Sequence, residues 1–185
     1  MSWDLEKKKI TLDQQAGKES SQILLEGDVI VPDSKPDIEQ ILRCNGIVQL
    51  QEAKGNEDRV NFSGELLLSI LYQGKKSMKP ISGMEASLPI EDIIHIDGID
   101  QNADITLSAV LNHLDCKLLN DRKINIKAVI TVIAEATTSY TGEMIEAIND
   151  MPALQTKKGS MNINSTIENK KERFIVKEEL VIPNN

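Results

Sequence analysis

The chain has 185 residues, a formal charge of −8, 40% hydrophobic residues and 27% charged residues. That length suits one well-packed domain and is too short for two of typical size. An acidic chain with 3% aromatic residues lacks the phosphate-neutralising surface and the stacking platforms that nucleic-acid binding needs, and it lacks an aromatic platform for sugars.

With one Trp, two Tyr and two Phe, the core must be built from Ile, Leu and Val, and β-branched residues favour pleated sheet. The N-terminal stretch MSWDLEKKK has no hydrophobic signal region, and no apolar run reaches the length of a membrane span. Lys7, Lys8 and Lys9 form the only tight basic triple and read as a solvated lead-in to a strand. Cys44 and Cys116 lie far apart in sequence and do not make a disulfide framework, so a reducing, cytosolic-type compartment is expected.

Most of the chain alternates with period two. ILLEGDVIVP at 23–32 predicts a strand that stops at Pro32, since proline cannot donate to a ladder. The next segment, VPDSKPDIEQIL, carries helix-start signals. Asp33 and Ser34 are capping residues, Ser34 and Asp37 have the spacing of a capping box, and Pro36 falls in the first turn. Ile38, Ile41 and Leu42 then form a stripe at i, i+3 and i+4. A short helix is expected at about 34–44, with Asn45-Gly46 as its stop.

Residues 47–53 and 60–72 predict a hairpin about the turn 54–58. In its second strand Phe62, Gly64, Leu66, Leu68 and Ile70 share one face. Leu67 and Leu71 make the other face apolar too, as in a central strand covered on both sides. KPISGMEASLPIEDIIHIDGI gives a further extended run. Residues 104–119 and 123–138 predict the longest hairpin, about Asn120-Asp121-Arg122, with Ile124, Ile126, Ala128, Ile130, Val132 and Ala134 on one face. The fold class expected is mainly β: an antiparallel, sandwich-like domain with one or two short helices.

The tail FIVKEELVIPNN matches ILLEGDVIVPDS without gaps at an offset of 183 − 32 = 151 residues. A repeat of that length is a domain-sized unit and not a solenoid period. A first domain is therefore expected over 1–155, and 156–185 reads as a hairpin that opens a second copy or docks on the first domain. Residues 141–159 form the expected linker, with a short helix near 143–148. If the tail completes the first sheet, truncation after Lys158 lowers the melting temperature by several degrees, as a loss of ~1–2 kcal/mol would.

No residue set stands out as catalytic. His113 and Cys116 are three apart on a strand and point to opposite faces, so they cannot readily share a zinc ion. His95 lies among acids and reads as a surface or packed side chain, and Cys44 as a small apolar residue. Asp28, Asp33 and Asp37 do not have the spacing of a calcium loop, and capping explains the last two better. GxSxG, phosphate-cradling and HExxH patterns are absent from the sequence. No enzyme activity, cofactor or metal is expected.

Three separated blocks, LEGDVIVPDSKPDIEQIL, GELLLSILYQG and NDRKINIKAVITVIAE, occur in the order found in the SPOCS domain of SipL-like spore-coat proteins from spore-forming Firmicutes. The resemblance covers about residues 23–135 and resumes at Phe174. It implies a non-enzymatic assembly module in endospore coat morphogenesis, on the mother-cell side of the forespore surface. It implies other spore-envelope proteins as partners. SipL-like proteins bind the coat's basement-layer ATPase through a LysM domain, and no LysM-like segment lies in these residues. The alternative reading is a β module that binds cell-wall glycan.

Overall fold

The computed structural model describes residues 4–75, 80–149, 157, 159, 160 and 162. Its strands are β1 (Asp4–Ile30), β2 (Ile38–Asn56), β3 (Arg59–Gly74), β4 (Ile81–His95), β5 (Asp104–Asn120) and β6 (Lys123–Asn149). They form two three-stranded sheets, ordered β1-β6-β5 and β2-β3-β4. The chain divides into two compact units, Gln14–Tyr140 and Met1–Asp13 with Thr141–Asn185. The expected tail hairpin lies outside the described residues.

Within Gln14–Tyr140 the two sheets share one apolar core, as the expected sandwich-like class requires. Alternation puts Val60, Phe62, Leu66, Leu68, Ile70 and Tyr72 of β3 inside, and Ile124 through Ala136 of β6 at every second position. Among the described residues no polar or charged residue is buried. A Cβ on Gly46 of β2 would meet Leu111 and Leu114 of β5, so these two edges lie side by side; Gly27 of β1 and Leu88 of β4 mark the opposite side.

Neither expected helix forms. Residues 143–148 continue β6, where the Glu143 carboxylate accepts from Lys7 Nζ at 2.8 Å. A single turn of helix is unfavourable alone, and pairing with a long neighbour satisfies the same backbone groups. At 34–44 the chain makes a turn and then enters β2. The pairing of β2 with β3 slips between Ile38 and Gln40 and again between Ile41 and Arg43. Each slip inserts one extra residue, a β-bulge. Inward positions therefore fall three apart, at Ile38, Ile41 and Cys44, opposite Gly74, Tyr72 and Ile70. Two bulges in succession imitate a helical period.

Two other expectations are corrected. β3 is central in its sheet, but Leu67 and Leu71 face solvent, so it is covered on one side only. Cys44 and Cys116 are not free: they form a disulfide with a Cα–Cα separation of 6.5 Å, within the usual range. The pair is 72 residues apart, and the adjoining edges of β2 and β5 bring it together. This pairing removes the cysteine-based argument for a reducing compartment.

Candidate functional site

Residues 31–38 carry the chain from β1 in one sheet to β2 in the other, along the β5–β6 turn. Val31 donates its N–H to the Arg122 carbonyl at 2.9 Å, and Ile38 donates to the Asp121 carbonyl at 2.7 Å. Pro32 and Pro36 have no N–H to satisfy, and Lys35 closes the intervening turn by donating to the Pro32 carbonyl at 2.9 Å. This corner is therefore short of donors and rich in acceptors.

Arg122 supplies the missing donors. Its Nη1 donates to Asp37 Oδ1 at 2.8 Å, and its Nη2 donates to Asp33 Oδ1 at 2.9 Å and to the Val31 carbonyl at 3.0 Å. The planar guanidinium fork suits three acceptors held in fixed directions. Asn120 accepts from the Arg122 N–H at 2.9 Å and holds the turn. Lys75 donates its N–H to the Asp37 carbonyl and its Nζ to Asp121 Oδ1, both at 2.7 Å. Beneath them the Tyr72 hydroxyl donates to the Pro36 carbonyl at 3.1 Å. Burial pushes the Tyr72 phenol above its ordinary range, while Arg122 draws it down and Asp37 pushes it up. It stays a protonated donor at neutral pH.

The structure thus joins two sequence blocks, VPDSKPD and NDRK, at one corner. The acids considered for a cation site each face a cation from the start of β6 or the turn before it. Asp33 and Asp37 face Arg122. Asp28 accepts from Asn125 Nδ2 at 3.0 Å and pairs with Lys123 at 2.6 Å. The Asn125 and Lys123 hydrogen bonds, with the Lys123 charge, hold its carboxyl below the usual range against a smaller burial effect. No three His, Cys, Asp or Glu side chains converge as a metal site among the described residues. His113 is exposed on β5 while Cys116 turns inward to its disulfide, and His95 is exposed at the end of β4.

Arg122 had no sequence signal beyond its place in a polar turn. Its partners did have one: two prolines and two aspartates in six residues leave acceptors that need a donor from elsewhere. Chemically the corner is a joint. Its charges are satisfied by one another, and it offers no nucleophile beside a base.

Fold and corner together define a two-sheet β module whose crossover is tied by an arginine and two aspartates. Residues 37–119 match the family model described as SipL, SPOCS domain, so this stretch of the chain is similar to that domain. The match runs from the corner through β2, β3 and β4 to the penultimate residue of β5. No curated protein and no solved structure matches the chain.

Proposed function

We propose that the chain is a non-enzymatic assembly module of the endospore envelope, working on the mother-cell side of the forespore surface and within the coat. The SPOCS match over residues 37–119 carries this reading. The interior supports it, since among the described residues no acidic, basic or histidine side chain is buried where its pKa could be tuned for catalysis, and the buried Tyr72 hydroxyl is held by the Pro36 carbonyl. Its partners in this reading are other spore-envelope proteins. Contact with the coat's basement-layer ATPase is assigned to regions other than these residues. Deleting the gene should leave coat proteins mislocalised around the forespore, seen with fluorescent fusions. Normal coat assembly in the deletion strain would sink the proposal. Saturable binding of the purified chain to peptidoglycan would replace it with the glycan-binding reading.

A further inference from the structure

β2 and β5 are edge strands of different sheets. Apolar contact and one covalent bond hold the seam between them. A Cβ on Gly46 would touch Leu111 and Leu114, and close by Cys44 is bonded to Cys116. Both cysteines are only half-buried, because each stands on an edge. An open groove of about 560 Å³ lies over this seam, lined by Arg43, Cys44, Gly46, Leu111, Asn112 and His113 among others. It reaches Cys44 and does not reach Cys116. Asn112, the extra residue of the β5 bulge, accepts from the Thr131 hydroxyl of β6 at 2.7 Å. Arg43 Nε donates to Asn45 Oδ1 at 3.2 Å, and both residues line the groove. A permanent cation therefore stands beside a disulfide with one accessible sulfur. Electropositive, partly exposed surroundings are those in which cysteine sulfur takes part in exchange.

We propose that Cys44 is a thiol-modification site: an anionic low-molecular-weight thiol attacks it in the folded protein, and Cys116 is the thiol that resolves the adduct. The thiolate enters along the groove and attacks Cys44 Sγ. The Cys44–Cys116 bond breaks, its electron pair goes to Cys116 Sγ, which takes a proton from water, and a mixed disulfide remains on Cys44. Attack at sulfur is in line with the bond that breaks, so the sulfur that the groove reaches is the one modified. Two exits follow. The Cys116 thiolate can attack Cys44 Sγ and expel the small thiol, which restores the bridge. A second small thiolate can instead attack the outer sulfur of the adduct, which leaves as a symmetric small-molecule disulfide and returns Cys44 as a thiol. That exit oxidises two small thiols by two electrons and reduces the bridge by the same two. Opening unclasps β2 from β5 while the hydrogen-bonded pairs β2–β3, β3–β4 and β5–β6 stay intact. The inference rests on the groove and the bridge and not on where the protein works.

The oxidised full chain in native buffer with millimolar glutathione, which carries a net negative charge, tests it. Acid quenching, alkylation and peptide mass spectrometry should find the bridge opening within about an hour. Any adduct caught should sit on Cys44. Where resolution outruns accumulation of the adduct, single-cysteine variants decide. Cys116→Ser and Cys44→Ser lose the same bridge, so a general loss of stability affects both alike. With glutathione disulfide, the variant that keeps Cys44 should be modified about tenfold faster than the one that keeps Cys116. Arg43→Glu should slow opening by glutathione about threefold and leave opening by neutral 2-mercaptoethanol unchanged. A melting curve within about 2 °C of the parent confirms that Arg43→Glu folds. A bridge that opens only in denaturant overturns the inference, as does a first adduct on Cys116. Equal rates in the two single-cysteine variants also overturn it, as does an Arg43→Glu effect that is the same for both thiols.

Discussion

The two sheets share one core but treat their outer faces differently. On β1-β6-β5, charges of opposite sign neutralise one another across neighbouring strands. Lys18 pairs with Glu135, Lys127 with Glu26 at 3.1 Å, and Lys123 with Asp28 at 2.6 Å. Lys127 also stands opposite Asp115 of β5. On β2-β3-β4 the outer face interleaves both signs with apolar side chains: Glu52 pairs with Lys54 of its own strand at 2.9 Å, and Glu85 stands opposite Ser69, one row from Leu67. The first face ties these charges across its strands while leaving Leu24 and Val110 exposed. Opposite charges on neighbouring strands help to hold a sheet together, whereas a pair within one strand joins no strands.

Cutting the joint between the sheets is the strongest way to break this comparison. Cys44→Ala with Cys116→Ala opens a link spanning 72 residues, which should cost about 4 kcal/mol and lower the melting temperature by about 8–16 °C. A shift under about 2 °C would mean that apolar packing alone holds the edges together.

Gly64→Ala comes next. Its Cβ would lie 2.5 Å from the Gln49 carbonyl oxygen and 3.0 Å from Leu50 Cα, both backbone atoms of the neighbouring strand. Overpacking of this kind should cost about 3 kcal/mol in chemical denaturation. Arg122→Ala leaves Asp33, Asp37 and the Val31 carbonyl short of a donor and should cost about 2 kcal/mol in chemical denaturation. Arg122→Lys should recover only part of that, since an ammonium cannot serve three acceptors in one plane.

Acid titration probes the self-paired face. Asp28 has a folded pKa below its unfolded value, so its contribution is fully present above the unfolded pKa and is lost as pH falls through the folded one. Stability should therefore fall on acidification from about pH 5 downward, and Asp28→Asn should flatten that part of the curve. Lys127→Ala should show the smallest effect, about 0.5 kcal/mol in chemical denaturation. A cost above about 1.5 kcal/mol would mean that this exposed pair carries more than surface charge pairing ordinarily does.

The sheets were legible where alternation is regular. β3 and β6 follow the period of two that their residues spell out, and β5 does so up to a bulge between Leu111 and His113, after which Leu114, Cys116 and Leu118 turn inward. β2 did not, because its bulges at the start place Ile38, Ile41 and Cys44 on one face at a spacing of three, the spacing that also marks a helix. Leu67 and Leu71 were read as covered because an apolar side chain in a strand does not reveal whether a second layer stands over it. Half of the corner was legible in VPDSKPD as a place where the chain turns sharply. Arg122 was not, being 85 residues from Asp37, since nothing in a local window shows which distant turn will arrive there.

By itself, the order of residues determined the class of the protein. The scarcity of aromatics, the alternating strands and the short polar turns allow little besides an antiparallel β module, because period-two patterning and turn chemistry act over a few neighbouring residues. The tertiary structure decided what joins to what. It brought Arg122 to Asp33 and Asp37, closed Cys44 on Cys116, and left Leu67 and Leu71 of a central strand facing solvent. Those outcomes depend on strand register and sheet order, which are settled only when the whole core closes.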